Sequence, residues 1–276
     1  MYQKKAKAKI NLFLNIIGKD SRGYHLLESF FALLHHLNDT VSIGDSSNTE
    51  CKISGATIDG ENIALKAVKA IRALKNTTKN VQIQIEKQIP VAAGLGGGSS
   101  DAASVILLLN QLWELNLSQS QMLEVASSIG ADVPFFIHEH HALTTGIGDI
   151  VKPIELGISL PLLVLYPMIL MSTQEVYKVS VKNFSPTLGS YTKERLIREI
   201  LSGKNDLEEP AFKLQPMLGD IIAIISQQNG CIAARMSGSG STCFGIYSDE
   251  ALALVSLQNL RNRYPSFRFH YELLQL

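Results

Sequence analysis

The first ordered stretch of the chain alternates between two sets of side chains. One set is apolar and the other is mostly polar: Ile10, Leu12, Leu14 and Ile16 against Lys9, Asn11, Phe13 and Asn15. A period of two residues is typical of a β-strand, whose successive side chains point to opposite faces. The pattern therefore predicts a strand with one buried face and a polar face that carries Lys9 and Asn11. On these two residues alone, an ordinary half-exposed strand is the simpler interpretation.

The rest of the first half mixes strand and helix patterns. Alternation predicts strands at residues 30–37, 40–43 and 81–89, and helical spacing predicts an amphipathic helix at residues 61–75.

Two further helices are predicted from their start and stop signals. Ser99-Ser100-Asp101 fits a helix start, and an apolar body follows as far as Trp113. Ser118-Gln119-Ser120-Gln121 fits a capping box, and Gly130 fits the matching C-terminal stop.

Proline and glycine near residues 150–160 mark a change in composition. We place a domain boundary near residue 155, which divides the chain into residues 1–155 and 156–276. The patterns beyond it predict strands at residues 162–166, 231–236, 242–247 and 267–272, and helices at 174–179, 193–201, 207–214, 218–228 and 250–263. With the extra helices set aside, this order is β-α-β-β-α-β, which is typical of a ferredoxin-like domain.

The strongest local signal is the stretch from Pro90 to Asp101, which holds four glycines in the five positions 94–98. So many glycines are unfavourable for folding unless the backbone needs unusual dihedral angles or a close approach to a ligand. Between a strand and a helix they leave free amides at the positive end of the helix dipole, which favours phosphate. The stretch lacks the ending of a Walker A motif, and Ser99 breaks the dinucleotide spacing. A tight turn in a helix–sheet contact is the alternative.

Two other segments are candidates for chemistry. Asp132 stands between a helix stop and an apolar stretch, where partial burial would allow it to act as a base. A helix-capping or turn aspartate is an equally good interpretation of the pattern. Residues 236–242 contain more glycine than a simple hairpin needs, which by itself is a weak signal for a loop that closes over a ligand. The histidines at 138–141 lack a partner cluster at zinc spacing and favour a polar turn.

Composition argues against several classes of function. The 276 residues are 46% hydrophobic, which suffices for one large or two small domains. The formal net charge is zero, which argues against nucleic acid or an anionic membrane surface as a partner. The apolar stretches 10–17 and 158–171 lack the features of a signal peptide and fall short of the ~20 residues of a membrane span. Three cysteines without metal spacing favour reduced thiols in a cytoplasmic protein.

Together these segments resemble the GHMP kinase superfamily, which includes galacto-, homoserine, mevalonate and phosphomevalonate kinases. Its three motifs correspond here to residues 7–12, 90–100 and 238–240. Within it, the chain is similar to the branch that phosphorylates the 2-hydroxyl of a cytidine diphosphate methylerythritol in the non-mevalonate isoprenoid precursor pathway. The segments that carry this similarity span nearly the whole chain, at residues 8–14, 23–25, 94–101, 130–136 and 205–208.

The resemblance implies an α+β fold of two domains. The N-terminal ATP-binding domain is α/β with a left-handed crossover, and the C-terminal domain is ferredoxin-like. ATP is implied as the phosphoryl donor, with Mg²⁺ held alongside it and no metal ligand assigned to a side chain. The implied partner is the small-molecule substrate, with no nucleic acid and no membrane, in a monomer or homodimer.

The resemblance also implies roles for individual residues. Asp132 would be the catalytic base, with Lys9 as its electrostatic partner. ATP would be bound by Asn62, near the adenine, and by the glycine-rich stretch Pro90, Val91, Ala92, Ala93, Gly94, Leu95, Gly96, Gly97, Gly98, Ser99 and Ser100. The cytidine substrate would be bound by Asn11, Tyr24, His25, Thr173 and Tyr177, with Tyr177 stacked on the cytosine. Gly238, Ser239 and Gly240 would form the closing loop.

Three alternatives have their own discriminating features. Another GHMP kinase, such as a homoserine or mevalonate kinase, should lack the combination of residues 23–25 with 132–134. A nucleotide-binding regulator would not require Lys9 and Asp132 together. An RNA-binding protein should show a basic face with exposed aromatic residues on a strand, and the charge balance disfavours it.

Overall fold

The computed structural model describes residues 1–57, 62–179 and 183–276. Glu61, the first residue of one predicted helix, lies outside the described residues. The strands in chain order are β1 Tyr2–Lys19, β2 His25–Asp45, β3 Glu50–Ser54, β4 Val81–Glu86, β5 Ala142–Thr145, β6 Ile150–Pro153, β7 Ser159–Tyr166, β8 Cys231–Met236, β9 Cys243–Tyr247 and β10 Arg268–Gln275. The helices are α1 Ile63–Lys75, α2 Gly97–Leu112, α3 Gln119–Ile129, α4 Val133–His138, α5 Thr173–Lys178, α6 Lys193–Ser202, α7 Glu208–Leu214, α8 Met217–Ser226 and α9 Glu250–Arg263.

The first sheet is built around the long antiparallel pair β1 and β2. On its other side β2 pairs with β4 near one end and with β5 near the other, and β3 and β6 form the outer strands. Strands β3 and β4 are parallel, and α1 lies between them in the chain, as a crossover connection requires. The left-handed sense of this crossover stays a prediction.

Two strand predictions differ from the structure for a local reason. The predicted strands 30–37 and 40–43 are one strand, because Asn38 and Asp39 between them pair with Lys7 and Ala6. The register irregularity lies before them, since Ala8 pairs with Leu34 and residues 35–37 have no partner in β1. The predicted strand 81–89 ends earlier, at Glu86.

The prediction that β1 has a single buried face is wrong. Lys9 is 4% exposed and Asn11 is 1% exposed, so the polar face is as buried as the apolar one. The reason is what covers this face: the ammonium of Lys9 lies over the ring of Phe31, and the side chain of Asn11 donates to Ser29 Oγ and lies against Gly238 of the second half.

The glycine-rich helix α2 starts at Gly97, two residues before the predicted start at Ser99. Its N-cap is Gly96, which has a left-handed backbone with φ of 69°. Helix α3 has the predicted capping box at Ser118 and Gln121, and it ends at Gly130 as predicted. Helices α1, α2 and α3 pack in one core with the first sheet.

The second half confirms the predicted ferredoxin-like order. Its sheet runs β10-β7-β9-β8, with antiparallel neighbours throughout. Numbered within this half, the order is 4-1-3-2, in which the two β-α-β units interleave. The first sheet ends at Pro153 and the second begins at Ser159, while the boundary at residue 155 stays a prediction. Within the three described ranges, no helix is both long and apolar enough to cross a membrane.

Candidate active site

A cavity of about 1080 Å³ opens between the two halves of the molecule. It is lined by nearly all of the residues proposed from the sequence for ATP and substrate: Lys9, Asn11, Tyr24, His25, Asn62, the stretch from Pro90 to Ser99, Asp132, Thr173, Tyr177, Gly238 and Ser239. The fold therefore gathers side chains that lie more than 200 residues apart into one cavity.

The glycine-rich stretch forms one wall of this cavity, and its glycines are needed for close packing. A Cβ built on Gly94 would lie 2.2 Å from the carbonyl oxygen of Ser237, and one built on Gly96 would lie 2.8 Å from Cζ of Phe136. The N-cap of α2 makes no side-chain hydrogen bond. The first amides of α2 thus have no side-chain cap, which suits them to an anion. Their role in binding phosphate stays a prediction.

Lys9 and Asp132 face each other across the cavity wall. Lys9 Nζ lies 3.5 Å from Oδ2 of Asp132 and donates to Oδ1 of Asn11 at 2.5 Å. The ammonium also lies 4.4 Å from the ring centroid of Phe31. Asp132 occupies the N-cap of α4, yet its carboxylate makes no capping hydrogen bond. The helix-capping interpretation of Asp132 therefore lacks its defining contact, and the carboxylate, 33% exposed, faces the cavity.

The other end of the cavity carries aromatic rings. The rings of His25 and Tyr177 lie 5.2 Å apart between centroids and are tilted by 40°. Nε2 of His25 is buried and has no hydrogen-bond partner in the described part of the chain. Burial, followed by the charge of Lys19, lowers the pKa of His25 and so favours its neutral form. Tyr24, at 58% exposure, stands at the rim.

The loop at residues 237–242 lies against the glycine-rich stretch. Ser237 Oγ donates to the carbonyl of Gly94 at 3.0 Å and accepts from the amide of Asn11 at 3.1 Å. Ser239 Oγ lies 2.9 Å from Oγ1 of Thr173, and both residues line the cavity. Asn205 Nδ2 supports the loop from behind by donating to the carbonyls of Met236 and Gly238, both at 2.8 Å.

Two of the proposed site residues stand behind the cavity wall. Ser100 is 2% exposed, and its amide donates to the carbonyl of Gly96 in the first turn of α2. Gly240 packs against Met236, since a Cβ there would lie 2.6 Å from the sulfur. Neither residue lines the cavity, and their proposed roles stay predictions.

Sequence reasoning missed a buried charged group beside the glycine-rich stretch. Lys87 contacts the carboxylates of Asp39 and Asp101, and both Lys87 and Asp101 line the cavity. Burial, opposed by Lys87 and reinforced by Asp39, raises the pKa of Asp101 to about 7. Burial also acts on Lys87, but the two carboxylates raise its pKa overall. The available signal was a lysine directly after the alternating strand β4 and an aspartate in the apolar helix α2, since buried charges need partners.

Comparisons with known proteins agree with this architecture. The model of the GHMP kinase N-terminal domain matches residues 62–140, and that of the GHMP kinase C-terminal domain matches residues 192–266. A crystal structure of mevalonate kinase aligns over 100% of both chains with a TM-score of 0.70 and 15% identity, which shows the shared fold.

More similar relatives narrow the family. The 4-diphosphocytidyl-2-C-methyl-D-erythritol kinase of Paramagnetospirillum magneticum is 34% identical over 95% of this chain and 94% of its own. That of Anaplasma marginale is 36% identical over 96% of this chain and 94% of its own. A crystal structure of 4-(cytidine 5'-diphospho)-2C-methyl-D-erythritol kinase aligns over the full length of both chains, with 31% identity and a TM-score of 0.81. The chain therefore belongs to the 4-diphosphocytidyl-2-C-methyl-D-erythritol kinase family of the GHMP kinases.

Proposed function

We propose that this protein transfers the γ-phosphoryl group of ATP to the 2-hydroxyl of 4-diphosphocytidyl-2-C-methyl-D-erythritol. The observation that carries the proposal is one continuous cavity that joins three features. These are the glycine-rich loop and uncapped helix start, the Lys9–Asp132 pair, and the His25–Tyr177 ring pair. They correspond to a phosphate site, a proton acceptor beside a cation, and a site for the cytosine ring.

Phosphoryl transfer depends on positioning and charge neutralisation more than on covalent catalysis. In the proposed reaction Asp132 accepts the proton of the tertiary hydroxyl. The hydroxyl oxygen forms a bond to the γ-phosphorus as the bond to the β-phosphate oxygen breaks, and ADP leaves. Lys9 stabilises the negative charge that develops on the transferred group.

The donor side of the cavity suits ATP. Asn62 stands at the N-cap of α1, where its side chain accepts from the amide of Ala64 at 2.8 Å, and it lines the cavity. The hydroxyl of Ser99 lines the cavity and is a hard oxygen donor, which would fit Mg²⁺ bound with the triphosphate. Mg²⁺ would neutralise charge on the phosphates.

The acceptor side suits a cytidine. Cytosine offers a flat ring for stacking and polar groups on its edge. Tyr177 supplies a half-buried aromatic face, and the unpartnered Nε2 of His25 supplies a polar contact within the same cavity. Thr173 lies on the same helix as Tyr177, toward the closing loop.

The division into domains and the cellular location belong to the same proposal. We divide the chain into an ATP-binding domain at residues 1–155 and a ferredoxin-like domain at 156–276, supported by the gap between the two sheets. A cytoplasmic location is supported by the use of ATP and by the free thiols of Cys51, Cys231 and Cys243.

A coupled assay of ADP release tests the function. Purified protein with ATP and Mg²⁺ should release ADP with 4-diphosphocytidyl-2-C-methyl-D-erythritol and only at background rate with homoserine or mevalonate. Turnover of homoserine or mevalonate, without turnover of the cytidine substrate, would reassign the protein to another GHMP kinase activity.

The variant Tyr177→Ala tests the acceptor site in the same assay. Loss of a stacked ring should weaken binding of the cytidine substrate by about 1–3 kcal/mol, while the KM for ATP stays the same. Tyr264→Ala is the matched control, because it removes a ring stacked on Phe267 at 5.0 Å that does not line the cavity. If Tyr177→Ala binds the cytidine substrate with unchanged affinity, the cytosine does not stack on Tyr177.

A further inference from the structure

A buried group of three charged side chains lies directly behind the glycine-rich loop. Lys87 Nζ contacts Oδ2 of Asp39 and lies 2.7 Å from Oδ2 of Asp101. The three side chains are between 0% and 3% exposed. Burying charges is unfavourable even when they are paired, and an apolar group of similar size would often give equal stability. A contribution to stability alone therefore does not explain the presence of this charged group.

The three residues connect the two ends of the loop. Asp39, in β2, also accepts through Oδ1 from the amides of Gln88 at 2.6 Å and Ile89 at 2.8 Å. These amides immediately precede the loop, which starts at Pro90. Asp101 lies in α2, the helix that follows the loop. Lys87 joins the two carboxylates, so the start and the end of the loop are held against each other.

The start of α2 packs directly on this group. A Cβ built on Gly97 would lie 3.0 Å from Cγ2 of Ile89 and 3.3 Å from Nζ of Lys87. A shift of Lys87 or Ile89 would therefore be transmitted to the backbone of Gly97. That backbone lines the cavity at the first turn of α2.

We propose that Asp39, Lys87 and Asp101 are positioning residues for the phosphoryl donor. They fix the distance between the start of the loop and the first turn of α2, and thereby direct the loop amides toward the ATP phosphates. The inference rests on the proposed function, since it concerns how that function binds ATP. A displacement of about 1 Å in groups that position a substrate can reduce the rate about 10²-fold.

The electrostatic effect and the positioning effect of Asp101 predict opposite changes in ATP affinity when this residue is replaced. Two carboxyl groups and one ammonium give a net charge between zero and −1 near pH 7, since the pKa of Asp101 is about 7, and such a group does not attract a triphosphate. On charge alone, removal of Asp101 should strengthen ATP binding. If the group positions the loop, the same removal should weaken ATP binding, because α2 loses its link to Lys87. Asp101→Leu serves as the test, since leucine has a similar size and leaves the Lys87–Asp39 pair in place.

The experiment measures ATP binding by calorimetry without the second substrate. Asp101→Leu should raise the Kd for ATP by at least about tenfold, while its circular dichroism and its KM for the cytidine substrate match those of the wild type. An unchanged or lower Kd in Asp101→Leu overturns the inference. Wild-type protein that fails to bind ATP would instead contradict the proposed function, so the two failures are distinguishable.

A second variant checks that the residues act as one link. Lys87→Met should also raise the Kd for ATP, and the double variant should bind ATP about as well as the poorer single variant. Independent, multiplicative losses would contradict a shared link. Lys213→Met is the control, because it removes a lysine–carboxylate pair of the same 2.7 Å length from the surface of α7. Its Kd for ATP should equal that of the wild type.

Discussion

Lys9 is a buried cation whose charge is only partly balanced by the protein. Its closest polar partner, Asn11, is neutral, and its carboxylate partner Asp132 lies 3.5 Å away and is 33% exposed. The ring of Phe31 covers the ammonium on another side. A cation held in this way retains attraction for a further negative charge within the cavity, such as a phosphoryl group in transfer.

The proposed pair can be tested by removing each charge separately. Asp132→Asn should reduce kcat by about 10²–10⁴, the usual contribution of a general base, while substrate binding survives because asparagine keeps the shape. Lys9→Met should also reduce kcat, since the positive charge beside the carboxylate is lost. Steady-state and single-turnover kinetics with the cytidine substrate provide the measurement.

The double variant shows whether Lys9 and Asp132 work as a unit. If they do, Lys9→Met combined with Asp132→Asn should be scarcely slower than the poorer single variant. Fully multiplicative losses would argue against the coupled pair. A near-normal kcat for Asp132→Asn, with chemistry rate-limiting, would favour a mechanism in which the hydroxyl loses its proton late.

At the scale of elements, the two loops of the cavity depend on each other. The carbonyl of Ala93 accepts from the amide of Thr242 at 3.1 Å, and the carbonyl of Gly94 accepts from Ser237 Oγ. The glycine-rich loop belongs to the first half of the chain, and residues 237–242 belong to the second. Contact between them therefore joins the glycine-rich wall of the cavity to the ferredoxin-like sheet.

Gly94→Ala should disrupt this contact. Its φ is 75°, which L-residues rarely adopt, and the added Cβ would lie 2.2 Å from the backbone oxygen of Ser237. We expect the free energy of unfolding to fall by about 1–3 kcal/mol or more, from overpacking and backbone strain. Urea unfolding measures this change.

Gly98→Ala is the matched control for Gly94→Ala. A Cβ there would make an ordinary 3.6 Å contact with Ile63, and its position in α2 favours alanine. The free energy of unfolding of Gly98→Ala should stay the same or rise. Equal destabilisation by both substitutions would show that the loop contact is not the cause.

Local patterns predicted the elements better than the contacts between them. Periodicity located β1, and cap signals located α3, because both depend on neighbours in sequence. The burial of the polar face of β1 depends on residues from the second half and could not be read from alternation. The group of Asp39, Lys87 and Asp101 joins residues up to 62 positions apart, and no spacing rule connects a lysine that follows a strand with an aspartate in a helix.

At the scale of the whole molecule, one buried carboxylate joins the two sheets away from the cavity. Glu272, in β10, accepts from the amide of His35 at 2.6 Å and from that of His36 at 3.3 Å. Both amides lie at the register irregularity of β2, where the ladder with β1 leaves residues 35–37 without partners. His270 Nε2 lies 2.9 Å from the same carboxylate. The carboxylate of Glu272, in the second half of the chain, thus accepts hydrogen bonds from two backbone amides of the first half.

This junction predicts a specific dependence of stability on pH. Burial alone would raise the pKa of Glu272, but hydrogen bonds from His270 and from the two amides lower it overall. Because the pKa is lower in the folded than in the unfolded protein, ionised Glu272 stabilises the fold above the unfolded pKa. This stabilisation is lost as the pH falls through the folded pKa. Glu272→Gln should therefore lower the free energy of unfolding by about 1–3 kcal/mol at pH 7.

The difference between Glu272→Gln and the wild type should shrink as the pH falls below the ordinary glutamate pKa of about 4.3 and on through the lower pKa of the folded carboxyl. Urea unfolding at several pH values measures it. Glu139→Gln is the control, because Glu139 pairs with Lys4 at 2.8 Å on the surface, and such pairs contribute at most about 1 kcal/mol. A difference that stays constant from pH 7 to pH 3 would mean that glutamine disturbs packing at the junction. Only a difference that depends on pH shows that the charge of Glu272 holds β10 against the irregular part of β2.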